Sequence, residues 1–265
     1  MTAKYMISFF TAILTSLYLF GQEKDPLDDG RKIKIPVVFH VLYNNNIENI
    51  EDKLILEELN DLNLDFSKNN DMTMLDPEFS HFVGNPNIEF YLLDTLFHES
   101  RTKGIRHIAL KKSDNKNLLL IDPNNCLNVF IGNHGNASNI LGDRVNLNYR
   151  KIGDHLRAFT HETGHWLGLY HIFGTIKNTA WWRVLLGDND DQVADTPEQK
   201  GATAVCYEIS EKCPCPPINI YYKGHKTMYN NFMDYNPCRC MFTIGQSAKM
   251  RNNIIKEKRS LFDNS

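Results

Sequence analysis

The 265-residue chain carries 29 Lys and Arg against 32 Asp and Glu, a formal net charge of −3, so it lacks the positive excess of a nucleic-acid-binding surface. Its 42% hydrophobic and 23% charged residues suit a globular protein with one sizeable core. The body of the chain has no uncharged apolar stretch of the roughly 18 residues that a membrane span needs, which argues against stable insertion.

The N-terminus stands apart. Lys4 precedes an uncharged, largely apolar run from Met6 to Phe20, followed by Gly21-Gln22 and the polar stretch Glu23 to Gly30. This predicts a signal peptide over residues 1–22 and secretion to an extracellular or periplasmic space. The run is short for a membrane anchor. About ten residues then lead to the first strand, too few for a sizeable pro-segment.

Lys32 to Tyr43 is β-branched and apolar and reads as a buried strand. Ile55, Leu59, Leu62 and Phe66 recur at helical spacing, which predicts an amphipathic helix over residues 51–67. Strands are expected at 87–96, 104–110, 127–131 and 144–149, with a Gly- and Asn-rich loop before the last. Asp154 is a candidate cap for a helix running to about Leu169, and Gly168 is a candidate left-handed C-terminal glycine. Beyond Phe173 the chain is dominated by Asp, Asn, Pro, Cys and Gly until a final helix at about 246–262. The expectation is an α+β protein with a strand-and-helix first half and an irregular, cross-linked second half.

Cys126, Cys206, Cys213, Cys215, Cys238 and Cys240 are six in number, and five lie in the last third. In an oxidising compartment disulfides are expected, but six cysteines allow 15 pairings and the sequence does not choose among them. Cys213-Pro-Cys215 and Cys238-Arg-Cys240 leave a Cys-ligated zinc site as the competing reading, although their spacing is tighter than that of zinc knuckles.

The stretch HETGHWLGLYH, residues 161–171, carries the chemistry. On a helix, His161 and His165 project from one face and can share one zinc ion. Glu162 adjoins the first ligand and can take a proton from a water at the metal without binding the metal itself. Gly168 permits a sharp turn that returns His171 as a third ligand. Three protein ligands leave a fourth position open, the mark of a catalytic zinc. HExxH alone arises by chance in roughly two of a hundred such chains, and with Gly168 and His171 in about four of a hundred thousand. An accidental set of histidines is therefore the weaker reading.

This stretch has the HExxHxxGxxH pattern of the metzincin metalloproteases. With DTPEQ at 195–199 and NFMDYNPCRCMFTIGQ at 231–246, it resembles their pappalysin (cytophagalysin) branch. The resemblance implies a metzincin-like domain over 23–265. Its upper lobe, about 31–170, would hold a twisted mixed sheet with two long helices. Its irregular, disulfide-linked lower lobe, about 171–265, would end in a C-terminal helix, with the cleft between the lobes. It implies one catalytic zinc on His161, His165 and His171, with Glu162 as general base. It places Met233 beneath the metal as an apolar floor and Tyr235 where its hydroxyl could stabilise an oxyanion. It further implies a Cys206–Cys238 disulfide and a calcium site among Asp188, Asp190, Asp191 and Asp195. Residues 137–141 would be the edge strand along which substrate lies. Where the family often has acidic residues after the Met-turn tyrosine, this chain has Asn236 and Pro237, then Arg239 past the next cysteine. A preference for a basic residue after the cleaved bond is not carried over. The function implied is a secreted, monomeric zinc endopeptidase acting on proteins or peptides. The rival is an inactive secreted binding protein that keeps the same fold.

Overall fold

Ile33–Tyr43 forms β1, the longest strand, and the rest of the sheet is laid against it. A computed structural model describes residues 24–98, 100–110, 119–174, 190–203 and 218–265. The expected signal peptide, Asp188 and the three cysteines Cys206, Cys213 and Cys215 lie outside the described residues. After β1 come α1 (Asp52–Phe66), a 3-10 helix (Pro77–Phe82), β2 (Ile88–Leu92), β3 (Ile105–Ala109), β4 (Leu127–Gly132), β5 (Ala137–Ser138) and β6 (Arg144–Asn148). Then follow α2 (Ala158–Trp166), the hairpin β7 (Tyr221–Tyr222) and β8 (His225–Lys226), α3 (Ile244–Glu257) and α4 (Arg259–Asp263).

The sheet is mixed, in the order β2-β1-β4-β6-β5, and β3 also pairs with β1. One edge of β1 is shared: Ile33 to Val37 pair with β2 and Phe39 to Tyr43 with β3, both parallel. β4 runs parallel on the other edge of β1, and β6 runs parallel to β4. β5 is antiparallel, Ala137 facing Asn146 and Ser138 facing Val145. The expected second strand, 87–96, stops at Leu92, because the chain turns at the tight Thr95 N–H to Leu93 C=O hydrogen bond of 2.7 Å.

A parallel strand covered on both faces buries both of its alternating sets of side chains, and β1 does so from Val37 to Leu42. Ile33, Ile35, Val37, Phe39 and Val41 join Leu127, Val129 and Ile131 of β4 and Ile55, Leu59, Leu62 and Phe66 of α1 in one core. On the opposite face, His40 stacks on Phe130 with centroids 4.5 Å apart and faces Asn128 at 3.1 Å. Burial pushes its imidazole down to about 4, so it is neutral at ordinary pH.

α1 is bounded as its periodicity predicts, but α2 is not. It begins at Ala158, four residues later than Asp154, and ends at Trp166 with nine residues. His155 and Arg157 take left-handed φ values of 54° and 60°, which a right-handed helix excludes. The Asp154 carboxylate instead accepts from the Leu156 N–H two residues on, a local Asx turn rather than a cap. Three carboxylates on one face of α1 hold this turn. Glu58 accepts the Gly153 N–H at 2.8 Å, Asp61 accepts from His155 and Arg157, and Asp65 accepts the Thr160 hydroxyl at 2.6 Å. The final helix is also corrected. It starts at Ile244, capped by Thr243 and Gln246 in a reciprocal capping box, and breaks at Lys258 into α3 and α4. No helix among the described residues is long and apolar enough to cross a membrane.

The expectation that all six cysteines pair is overturned at two positions. Cys126 and Cys240 are free and buried, and burial pushes both thiols up to about 12. Cys126 immediately precedes β4, whereas Cys240 is fixed in the loop before α3 by hydrogen bonds through Asn70 and Asn230. Cys238 is disulfide-bonded. No cysteine joins a metal-competent cluster among the described residues.

Asp65 links this framework to pH. One carboxylate oxygen is buried without a partner, and burial outweighs the nearby Arg157 charge, raising the group to about 7. The folded state therefore holds this proton more tightly than the unfolded chain. The stability it confers is full below pH ~4 and is lost as pH rises to about 7. Asp65→Asn keeps the size and the Thr160 acceptor but cannot ionise. Urea unfolding between pH 4 and 8 should give the variant the flatter profile, by at most about 1.4 kcal/mol per pH unit. Parallel wild-type and variant profiles would exclude an ionising Asp65.

Candidate active site

Three imidazoles meet at the end of α2. His161 and His165 sit one helical turn apart and present Nε2 on the same side. The helix then closes in a Schellman turn: the Gly168 N–H donates to His165 C=O at 2.8 Å and the Leu169 N–H to Gly164 C=O at 3.0 Å. Gly168 has φ 93°, and a Cβ there would lie 2.1 Å from the Asn253 amide nitrogen, so both the turn and the approach of α3 require glycine. The turn brings back His171, whose Nε2 lies 3.2 Å from that of His161 and 3.0 Å from that of His165.

These separations are those of a metal site. Ligands at the usual zinc–nitrogen distance, arranged tetrahedrally, stand about 3.3 Å apart. The other ring nitrogens complete the fit. His161 Nδ1 donates to Phe232 C=O and His165 Nδ1 to Leu169 C=O, both at 2.7 Å. With the proton held on Nδ1, Nε2 keeps its lone pair for a metal. Burial holds His165 below its ordinary range; for His161, burial first and then the Arg239 charge hold it well below. Both rings are therefore neutral, the form that binds metal. These three histidines are the only group able to hold a metal ion among the described residues.

Glu162 is buried beside them. Burial pushes its carboxyl up to about 7, against the opposing charge of Arg239 and a hydrogen bond from the Ser138 backbone. That hydrogen bond joins it to β5, the edge strand within the expected 137–141, of which only Ala137 and Ser138 pair. Tyr235 is half exposed, with its ring 4.7 Å from His171 and 5.5 Å from His161 between centroids. His171 also stacks on Phe173 at 4.8 Å. Met233 is fully buried, and a Cβ on Gly164 would lie 2.5 Å from its sulfur. The thioether therefore packs directly on the backbone of α2 beneath the histidines.

The acidic residues after the motif do other work. Asp195 accepts the Thr243 hydroxyl at 2.6 Å and the Gly245 N–H at 2.8 Å, so its carboxylate caps α3. Asp191 accepts the Val193 N–H and the Thr196 hydroxyl, and Asp190 accepts the Gln192 N–H. The described residues therefore give no support to the expected calcium site, and Asp188 lies outside them.

Sequence reasoning missed four residues around the site. Arg239 hydrogen-bonds the carbonyls of Asp234, Phe232 and Leu156. Asn231 and Gln246 exchange amide hydrogen bonds, and Asn231 also accepts the Met233 N–H at 2.9 Å. Asp234 accepts the N–H groups of Thr203 and Tyr235. The Thr243 to Gln246 spacing was a readable capping signal; the other contacts are long-range and leave no local pattern.

A family model named Peptidase_M43 and described as pregnancy-associated plasma protein-A matches residues 119–255. An extracellular metalloprotease of Arthroderma otae is 33% identical over 111 residues, 41% of this chain and 33% of that protein. An extracellular metalloprotease of Colletotrichum graminicola is 35% identical over 95 residues, 35% of this chain and 29% of that protein. The matched stretch thus spans about a third of the length of these curated relatives. Among solved structures, mirolysin in complex with compound 9 superposes with a TM-score of 0.68 at 27% identity, covering 87% of this chain and 96% of that one. Tannerella forsythia mature mirolysin with a cleaved peptide gives 0.65 at 25% identity, covering 87% and 95%.

Gly164→Ala tests the contact between helix and thioether. Helix propensity alone would stabilise the variant by about 1 kcal/mol, while forcing a methyl against the Met233 sulfur costs about 1–3 kcal/mol. The variant is expected to melt below wild type and to bind zinc more weakly. Melting above wild type would mean that the methionine gives way freely and does not fix the floor of the site.

Proposed function

The chain belongs to the Peptidase_M43 family, and from that premise we propose that it is a secreted zinc-dependent endopeptidase that hydrolyses peptide bonds in proteins. The observation that carries the reading is the convergence of three Nε2 atoms at 3.0 and 3.2 Å, two of them with the opposite nitrogen tied to a carbonyl. His161, His165 and His171 would hold the zinc. Bound there, zinc would polarise the peptide carbonyl and bring the acidity of the attacking water near neutrality.

The remaining steps belong to the chain's own groups. Glu162 accepts a proton from the attacking water and returns it to the leaving amine nitrogen. Its burial and the backbone hydrogen bond from Ser138 suit a group that must hold and release a proton near pH 7. The Tyr235 hydroxyl is the donor for the oxygen that gains charge. The free edge of β5, next to Glu162, offers backbone groups to an extended peptide. Export is supported by the extracellular relatives and by the apolar run from Met6 to Phe20. Cys206, the partner implied by the family resemblance, would close the bridge to Cys238 and tie the lower loops to the turn at Met233. Peptide mapping without reduction should join Cys206 to Cys238; a fragment joining Cys238 to Cys213 or Cys215 would replace that assignment.

Glu162→Ala should keep zinc and lose activity by about 10²–10⁴-fold, since Glu162 is a base and not a ligand. His161→Ala should lose both together. Zinc analysis and cleavage of a quenched peptide separate the two. Wild-type turnover by Glu162→Ala would overturn the mechanism. A zinc-loaded wild type that cleaves nothing in a broad peptide library would establish the inactive binding protein instead.

A further inference from the structure

Arg239 is partly buried behind the site; among the described residues no carboxylate forms a close ion pair with it, although the charges of Asp234, Glu162, Asp154 and Asp65 act on it from farther away. Its guanidinium donates to three backbone carbonyls: Asp234 at 3.0 Å, Phe232 at 3.4 Å, and Leu156. A cation in such a place costs free energy that the carbonyls and these more distant carboxylates only partly offset. What the planar fork supplies instead is geometry, because its donors are fixed relative to one another. Asp234 directly follows Met233. Phe232 C=O is the acceptor of His161 Nδ1 at 2.7 Å. Leu156 lies in the strained turn that launches α2 two residues later. One side chain therefore spans the loop that floors the site and the turn that sets where α2 begins.

We propose that Arg239 is a positioning residue: by fixing the spacing between the Leu156 turn and the Phe232–Asp234 loop, it sets where His161 presents Nε2. The contact at 3.4 Å is long for a hydrogen bond, so the bonds to Asp234 and Leu156 carry most of the restraint, and Phe232 is held mainly through Asp234, two residues on. The inference rests on the metal-site reading proposed above. Arg239 touches no reacting atom in this arrangement.

Arg239→Met removes the charge and the fork. Arg239→Lys keeps the charge but replaces the fork with one nitrogen, which cannot reach both elements in the same plane. The probe is cobalt(II) added to metal-free protein, because its visible absorption reports ligand geometry. In both variants the bands should shift and cobalt affinity should fall about 10–100-fold, as for other residues that orient metal ligands. With zinc, kcat should fall while KM stays within about threefold. If Arg239→Met does not fold, Arg239→Lys decides. A folded variant with the wild-type cobalt spectrum and affinity overturns the inference, even if it melts lower, since that is the signature of a structural role alone. Wild-type protein that takes up no cobalt would instead overturn the metal-site reading, and this inference with it.

Discussion

The Nε2 atoms of His161 and His165 stand only 3.2 and 3.0 Å from that of His171, and they stay there only because the protein holds the rings in place. Lone pairs repel, and each ring would turn away if it could. The restraint is on the far side of two of the rings, where Nδ1–H is spent on Phe232 C=O and Leu169 C=O. Both acceptors are backbone, so ring orientation is tied to chain path and not to another mobile side chain. Leu169 lies in the Schellman turn that also returns His171, and Phe232 precedes the methionine under the site. The elements that aim the rings are thus the elements that surround them.

The floor has its own support, and it is polar. Asp195 accepts from Thr243, which caps α3 together with Gln246, and Gln246 exchanges hydrogen bonds with Asn231. Asn231 in turn accepts the Met233 N–H. Every member is buried or nearly so, where an unmade hydrogen bond costs about 1–3 kcal/mol. A satisfied network of that kind admits few alternative arrangements. Met233 itself is soft and could adapt to many shapes, so the precision of the floor comes from Asn231 and the N-terminus of α3. The acidic stretch after the zinc motif thereby acquires a structural role: Asp195 joins it to the helix that carries the network.

The sequence was most legible where a feature is local or periodic. The strand at Ile33–Tyr43, the helix at Asp52–Phe66 and the glycine turn at Gly168 follow from spacing alone, as does the pairing of His161 with His165. It was least legible where a distant partner decides. Asp154 has the chemistry of a helix cap, yet Glu58, Asp61 and Asp65 of α1 hold the following turn in a form no helix can continue. Asp195 has the chemistry of a calcium ligand, yet Thr243 and Gly245 occupy its oxygens. Cys126 and Cys240 complete an even count of cysteines, yet each is buried in its own surroundings as a free thiol. In all three cases residue type set what the side chain could do, and tertiary neighbours chose among the options.

The shortness of α2 follows from the same logic. A helix of nine residues is unstable alone, because nucleation is costly and too few hydrogen bonds repay it. Its first turn contains no acidic residue and its cap, Arg157, makes no capping hydrogen bond. Left-handed non-glycine residues before it add about 1–3 kcal/mol of strain each. The helix therefore depends on being held at both ends. The α1 carboxylates and the Arg239 bond to Leu156 C=O hold the first, while the Asn253 amide hydrogen bond to Leu167 C=O at 2.9 Å holds the second. Clamping the ends leaves the middle, where His161, Glu162 and His165 lie, with little freedom to shift along the axis. A longer helix would be more stable by itself, but its register would be set by its own turns instead of by the elements that carry the rest of the site.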